Sequence, residues 1–119
     1  MTTLEPVVVT PDAEALAAFY TGLLDAEVVE RTPEEGPAFA VTLEAGGARL
    51  TVVTDEDVET GQGGRVVLSF GVDDVARAVG RVEALGGTVL ARPQDMAWGE
   101  RVAHAADPDG NAVNLTQPL

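Results

Sequence analysis

The sequence predicts an α+β fold built from two similar βαβββ modules, and two observations lead to this prediction. Segments with strand and helix character follow the same order twice along the 119 residues, with a repeat of roughly 55–60 residues. A strand, a helix and three further strands also cannot cover both faces of their own sheet, because the helix packs on one face only. We therefore expect the two uncovered faces to curl toward each other and form an open half-barrel cleft.

The first module is predicted over about residues 1–55. A strand at 6–10 leads into a helix that begins near Asp12, whose carboxylate can accept hydrogen bonds from the first backbone N–H groups. Apolar residues then recur at helical spacing and form one buried stripe. Gly-Pro and Gly-Gly pairs separate the three strands that follow. The stripe is Leu16, Phe19, Tyr20, Leu23 and Leu24, and the three strands are predicted at about 27–32, 38–44 and 48–54.

An acidic, glycine-containing stretch at about 55–64 is predicted to link the first module to a second at about 65–119. The second module begins with a strand at 65–72 and a helix that Asp73 or Asp74 can cap. Two successive glycines end this helix, since a left-handed cap favours glycine. Its stripe is Val75, Val79, Val82 and Leu85, its glycines are Gly86 and Gly87, and its last strands are predicted at 88–92, 100–106 and 112–117.

Composition narrows the classes of function. The net charge of −13 argues against nucleic-acid and anionic-membrane partners, because both favour clusters of Lys and Arg. The acidity fits either solubility or attraction of a cationic ligand. The chain has no cysteine, and all seven basic residues are arginines, which excludes thiol and Schiff-base chemistry. No segment resembles a signal peptide or a membrane span, so we expect a cytoplasmic protein.

The last quarter of the chain carries the most specific pattern. Asp107–Asn111 reads Asp-Pro-Asp-Gly-Asn, a tight turn between two strands, and the single tryptophan, Trp98, lies shortly before it. With the first helix and the Gly-Gly end of the second helix, this pattern resembles the glyoxalase/bleomycin-resistance/extradiol-dioxygenase (vicinal oxygen chelate) superfamily. The resemblance implies paired modules in a homodimer, with sites shared between chains.

The same resemblance implies four positions for metal ligands, which fall here on Glu5, Thr51, Val67 and Asn114. Glu5 is a good ligand, whereas valine has no donor atom and the other two offer weak neutral oxygens. His104 is the single histidine, so two histidines cannot come from one subunit. It fits either a hydrogen-bonded strand residue or a base that works near neutral pH. We expect no metal and no cofactor, which points to the bleomycin-resistance-like members.

In those members the resemblance implies a drug held in a cleft. Phe39 and Trp98 match aromatic positions that stack on a flat ligand, although Phe39 also fits core packing. Glu100 and Arg101 flank Trp98 and could orient a polar group or form a solvated ion pair. The remaining expected ligand-contacting residues are Glu5, Thr51, His104 and Asn114.

The leading hypothesis is therefore a metal-free, small-molecule-binding protein that sequesters an antibiotic or another aromatic ligand, including a cationic one. One alternative is a metal-dependent lyase, isomerase or dioxygenase with an unusual ligand set that includes Glu5 and His104. A further alternative is an accessory or regulatory domain with no small ligand.

Overall fold

The computed structural model describes residues 4–61 and 66–119. The chain forms two compact units, Met1–Glu59 and Thr60–Leu119, which we call unit 1 and unit 2. Each unit contains one helix and a four-stranded mixed sheet, which confirms the predicted α+β class and the repeated βαβββ order. Across the described residues, no helix is both long and apolar enough to cross a membrane.

Unit 1 has the strand order β1-β4-β3-β2. The edge strand β1 runs parallel to β4, and the other neighbours are antiparallel. In sequence, the helix and the other two strands lie between the two strands of the parallel pair. The elements are β1 (Val7–Thr10), α1 (Ala13–Leu24), β2 (Glu27–Thr32), β3 (Ala40–Ala45) and β4 (Ala48–Thr54).

The first helix follows the sequence prediction closely. Asp12 caps it by accepting a 3.1 Å hydrogen bond from the backbone N–H of Ala15. The predicted stripe is buried except for Leu24, which is half-buried because it ends the helix. The stripe packs on β3 and β4, whose inward side chains complete the core. These inward residues are Val41, Leu43, Leu50 and Val52.

The loop before β3 shortens the strand predicted at 38–44. Arg31 donates to the backbone carbonyls of Glu34 (2.7 Å) and Gly36 (3.1 Å) and pairs with the carboxylate of Glu14 on α1. The same carboxylate accepts from the N–H of Ala38, so this residue is drawn toward the helix. Regular pairing of β3 therefore begins at Ala40.

Unit 2 repeats this architecture with the order β5-β8-β7-β6. Strand β6 continues past Pro93, beyond the predicted end at residue 92. It is an edge strand with two register shifts, and such a strand tolerates proline. The elements are β5 (Leu68–Gly71), α2 (Val75–Val82), β6 (Thr88–Asp95), β7 (Glu100–Ala106) and β8 (Ala112–Pro118).

The predicted start of the second helix is confirmed, whereas its regular part ends at Val82, before the last predicted stripe residue, Leu85. Asp74, rather than Asp73, caps α2 by accepting from the N–H of Arg77 at 3.1 Å. Gly86 has φ 96°, and the N–H of Gly87 donates to the carbonyl of Val82 at 2.9 Å, which is the bond of a left-handed helix cap. The end of the predicted linker and the start of the predicted strand, at 62–65, lie outside the described residues.

Candidate functional site

The two faces of the unit 2 sheet differ sharply. Val113 and Leu115 are buried on the side of α2, and the side chain of Gln117 accepts from the helix N-terminus at Val75 (2.6 Å). Side chains alternate along a strand, so the residues between these point to the other side of the sheet. We call that side the helix-free face of unit 2. It is defined by Ser69, Glu100, Val102, His104, Asn114 and Thr116.

A polar row crosses the middle of this helix-free face. Ser69, Asn114 and His104 lie side by side on β5, β8 and β7. His104 Nδ1 and Asn114 Oδ1 are 2.7 Å apart, a short hydrogen bond between half-buried side chains. The structure thus brings two of the predicted ligand-contacting residues into direct contact.

Trp98 lies in the hairpin between β6 and β7, at one end of the same face. The hairpin is closed by the N–H of Met96, which donates to the carbonyl of Glu100 at 2.7 Å, and by Gly99 at φ 95°. The indole is 67% exposed, and its Nε1–H donates to the carboxylate of Glu100 at 2.9 Å. Because Glu100 belongs to the helix-free face, this bond anchors the tryptophan ring at the end of that face.

Arg101 is turned away from this group. It follows Glu100 on the strand, so its side chain points to the face that carries α2. Its guanidinium donates to both carboxylate oxygens of Asp95, at 2.7 and 3.4 Å. The hydrogen bond from Arg101 holds the pKa of Asp95 below its ordinary value, and Asp95 in turn raises the pKa of Arg101. The structure therefore places Arg101 in an ion pair and not beside Trp98.

This ion pair predicts a measurable pH dependence. Replacing Arg101 with Gln is expected to raise the pKa of Asp95 toward its ordinary value, which is read from its carboxyl NMR signal during a pH titration. Because the pKa of Asp95 is lower in the folded than in the unfolded protein, the ion pair stabilises the folded state at pH values above the ordinary pKa of Asp. This stabilisation is lost as the pH falls through the lowered pKa. Arg77→Gln is the control for loss of one positive charge. An equal pKa of Asp95 in the wild type and in Arg101→Gln would contradict the prediction.

The three remaining residues of the predicted site belong to unit 1. Glu5 is exposed and precedes β1, and Thr51 shares a 2.8 Å hydrogen bond between hydroxyl groups with Thr42 on the neighbouring strand. Phe39 lies just outside β3 and is 54% exposed. Of its two predicted roles, core packing is thereby ruled out, and its ring remains accessible to a ligand.

The four positions implied for metal ligands do not form a suitable donor set. Val67 has no donor atom, the hydroxyl of Thr51 is paired with Thr42, and the amide oxygen of Asn114 is paired with His104. Within residues 4–61 and 66–119, no three His, Cys, Asp or Glu side chains are grouped closely enough to hold a metal ion. The residues present therefore do not fit the metal of the metal-dependent relatives.

Two contacts of the candidate site were not predicted from the sequence. The pairing of His104 with Asn114 could have been found by counting outward from the Asp107–Asn111 turn, because the two residues are equally distant from its centre. The bond between Trp98 and Glu100 had no such signal, since their i, i+2 spacing becomes a contact only through the shape of the hairpin.

Comparison with known proteins gives the family. Residues 3–115 match the model of the glyoxalase/bleomycin resistance protein/dioxygenase superfamily. The chain belongs to this superfamily. An uncharacterized protein of Mycobacterium tuberculosis H37Rv is 30% identical over 128 residues, which cover 98% of this chain and 74% of that protein. A Mycobacterium bovis protein shows the same identity, with 83% of its length covered.

Solved structures agree with this placement. A family enzyme from Burkholderia phytofirmans superposes with a TM-score of 0.82 at 22% identity, covering 97% of both chains. TioX from Micromonospora sp. ML1 gives 0.78 at 20% identity over 100% of both chains. A bleomycin resistance determinant encoded on the transposon Tn5 gives 0.69 at 22% identity, covering 99% of this chain and 98% of the other. At these identities the likeness establishes the superfamily fold.

Proposed function

We propose that this superfamily member is a metal-free protein that binds a small aromatic ligand, such as an antibiotic, against the helix-free face of unit 2. The observation that carries the proposal is the state of Trp98. Its polar edge is already bonded to Glu100, while the ring is 67% exposed. Because the indole is already held in one orientation, a ligand that stacks on it causes little further loss of side-chain entropy.

The charge around this ring favours a cation. The carboxylate of Glu100 lies beside the indole, and the chain as a whole carries a net charge of −13. A flat cation stacked on the ring gains from the electron-rich face of the indole and from the carboxylate at the same time. Long-range attraction to the acidic protein would also speed its arrival.

Two further observations support the metal-free part and the resistance-type part of the proposal. The side chains at the four implied ligand positions lack a metal-binding donor set, while the aromatic positions retain exposed rings at Phe39 and Trp98. One of the similar structures is a bleomycin resistance determinant, so the fold is compatible with a role of this kind.

The test uses the fluorescence of Trp98, which is the only tryptophan in the chain. We expect the planar acriflavinium cation to quench this emission saturably and to raise the melting temperature. Trp98→Ala is expected to weaken binding by about 3- to 10-fold, measured by calorimetry, because stacking on an aromatic ring contributes about 0.5–1.5 kcal/mol. Leu90→Ala removes another exposed apolar side chain and is the matched control.

Glu100→Gln removes the negative charge of the carboxylate but keeps the orientation of the indole, since the glutamine oxygen can still accept the hydrogen bond from Trp98. It is expected to weaken acriflavinium binding but not binding of diaminoanthracene, its neutral isostere. Binding that does not change in Trp98→Ala would contradict the proposed site. Stoichiometric Mn, Fe, Ni or Zn in the purified protein would instead favour a metal-dependent lyase, isomerase or dioxygenase.

The proposal also includes a homodimer, as the resemblance to the superfamily implies, and this dimer acts in the cytoplasm. Light scattering on the calorimetry samples gives the number of chains per particle, and the calorimetric stoichiometry gives the number of ligands per chain. Two chains per particle are expected.

A further inference from the structure

A hydrogen bond joins the imidazole of His104 to the side-chain amide of Asn114. The two residues are direct cross-strand partners on β7 and β8, and the atoms joined are His104 Nδ1 and Asn114 Oδ1, 2.7 Å apart. An amide oxygen only accepts hydrogen bonds, so Nδ1 must be the donor. In a neutral imidazole the other nitrogen, Nε2, then has a free lone pair.

Nε2 has no partner in the part of the chain that is described, where the bond to Asn114 is the one hydrogen bond of the His104 side chain. The residue is half-buried on the helix-free face, on the same side of the sheet as Glu100. Among the residues that define this face, His104 Nε2 and the Glu100 carboxylate are acceptors that carry no hydrogen of their own, and none of the side chains is cationic.

We infer that Asn114 holds His104 as the Nδ1–H tautomer, and that Nε2 thereby selects ligands that carry an N–H or O–H donor. The class of ligand is an aromatic amine, amide or phenol, because the lone pairs of an ether or carboxylate oxygen would repel the lone pair of Nε2. The ligand half of this inference rests on the proposed function, whereas the tautomer half does not. Asn114 is a positioning residue in this scheme, acting through His104.

The tautomer can be measured without any ligand. His104 is the only histidine, so a long-range nitrogen–proton correlation spectrum contains a single imidazole. The spectrum is recorded at a pH high enough that its signals no longer move. We expect Nδ1 to give the protonated, pyrrole-type shift and Nε2 the unprotonated, pyridine-type shift. The reverse assignment would overturn the inference and leave the proposed function standing.

Two variants test whether Asn114 is the cause. Asn114→Ala removes the acceptor and is expected to shift both nitrogen signals toward the averaged values of a mixture of tautomers. Ser69→Ala, in the same polar row on the other side of Asn114, is expected to leave both signals in place. An unchanged spectrum in Asn114→Ala, with the fold confirmed by its amide spectrum, would show that another group sets the tautomer.

The ligand half is tested with two permanent cations that share one ring system. Acriflavinium carries amino N–H donors, and N-methyl acridine orange has methyl groups in their place. We expect the wild type to bind acriflavinium about 3- to 10-fold more tightly, the value of one hydrogen bond, and Asn114→Ala to lose most of this preference. Equal affinities in the wild type would overturn the selectivity alone. Binding of neither cation would overturn the proposed function and the ligand half, while the NMR result still decides the tautomer.

Discussion

Phe19→Ala is expected to lower the free energy of unfolding by about 3–5 kcal/mol, the largest effect of any substitution considered for this chain. The ring is 2% exposed on α1 and meets the ring of Tyr20 edge-on, with centroids 5.0 Å apart and an interplanar angle of 82°. Its removal leaves a cavity between the helix and the sheet and also loses the edge-to-face contact. Since small domains are stable by only about 5–15 kcal/mol, a substantial part of the folded population would be lost at elevated temperature.

The chain offers a matched control for this substitution. Phe39→Ala makes the same chemical change at a ring that is 54% exposed, and it is expected to alter the free energy of unfolding by less than about 0.5 kcal/mol. Urea unfolding of both variants, with the slope compared to the wild type, measures the difference. Comparable losses in the two variants would contradict the placement of Phe19 in the core and Phe39 outside it.

Asp107→Ala is expected to lower the free energy of unfolding by about 2–4 kcal/mol, because it leaves several donors unpaired at once. The carboxylate is 2% exposed and accepts from the backbone N–H groups of Asp109 and Asn111, each at 2.9 Å. Its second oxygen accepts from the side-chain amide of Asn111 at 2.8 Å. These bonds shape the turn that joins β7 to β8, so the loss reaches the strand pair that carries His104 and Asn114.

Asp107→Asn distinguishes the bonds from the two backbone N–H groups from the bond to the side chain of Asn111. Its remaining oxygen can still accept from the two backbone N–H groups, but its amide would face the amide of Asn111, donor against donor. We expect a loss between those of the wild type and Asp107→Ala, read as a melting temperature lowered by several degrees. In Asp107→Ala the fall is expected to be roughly 10 °C. Similar melting temperatures for all three proteins would contradict a structural role for the turn.

The ends of the helices could be predicted from sequence because they depend on local chemistry. Asp12 and Asp74 each accept from an N–H three residues ahead, and Gly86 adopts a left-handed conformation that other residues resist. The choice between Asp73 and Asp74 could not be made in advance, since both stood next to the start of the apolar stripe. The length of β6 was underestimated because Pro93 is acceptable only at a sheet edge, and strand order decides which strand is at the edge.

The candidate site was predicted less completely than the fold. The sequence singled out Trp98, His104 and Asn114 by residue type, but it grouped them with Arg101, whose side chain lies on the other face of the sheet. Glu100 was predicted only as a residue beside Trp98 that could orient a polar group or pair with Arg101, and its bond to the indole was not predicted. A shift of one residue along a strand reverses the face, so a list of nearby residues cannot say which side chains share a site.

The sequence by itself therefore determined the helix caps and the turn at Asp107–Asn111, because each depends on residues within a few positions of one another. It also determined the superfamily and the repeated βαβββ order, because both follow from the succession of such local patterns along the chain. Only the tertiary structure decided that Phe39 is exposed, that Trp98 is anchored by Glu100, and that Asn114 bonds to His104. The physical reason is that these outcomes depend on strand register and hairpin shape. Both arise from backbone hydrogen bonds between segments that are distant in sequence or separated by a turn.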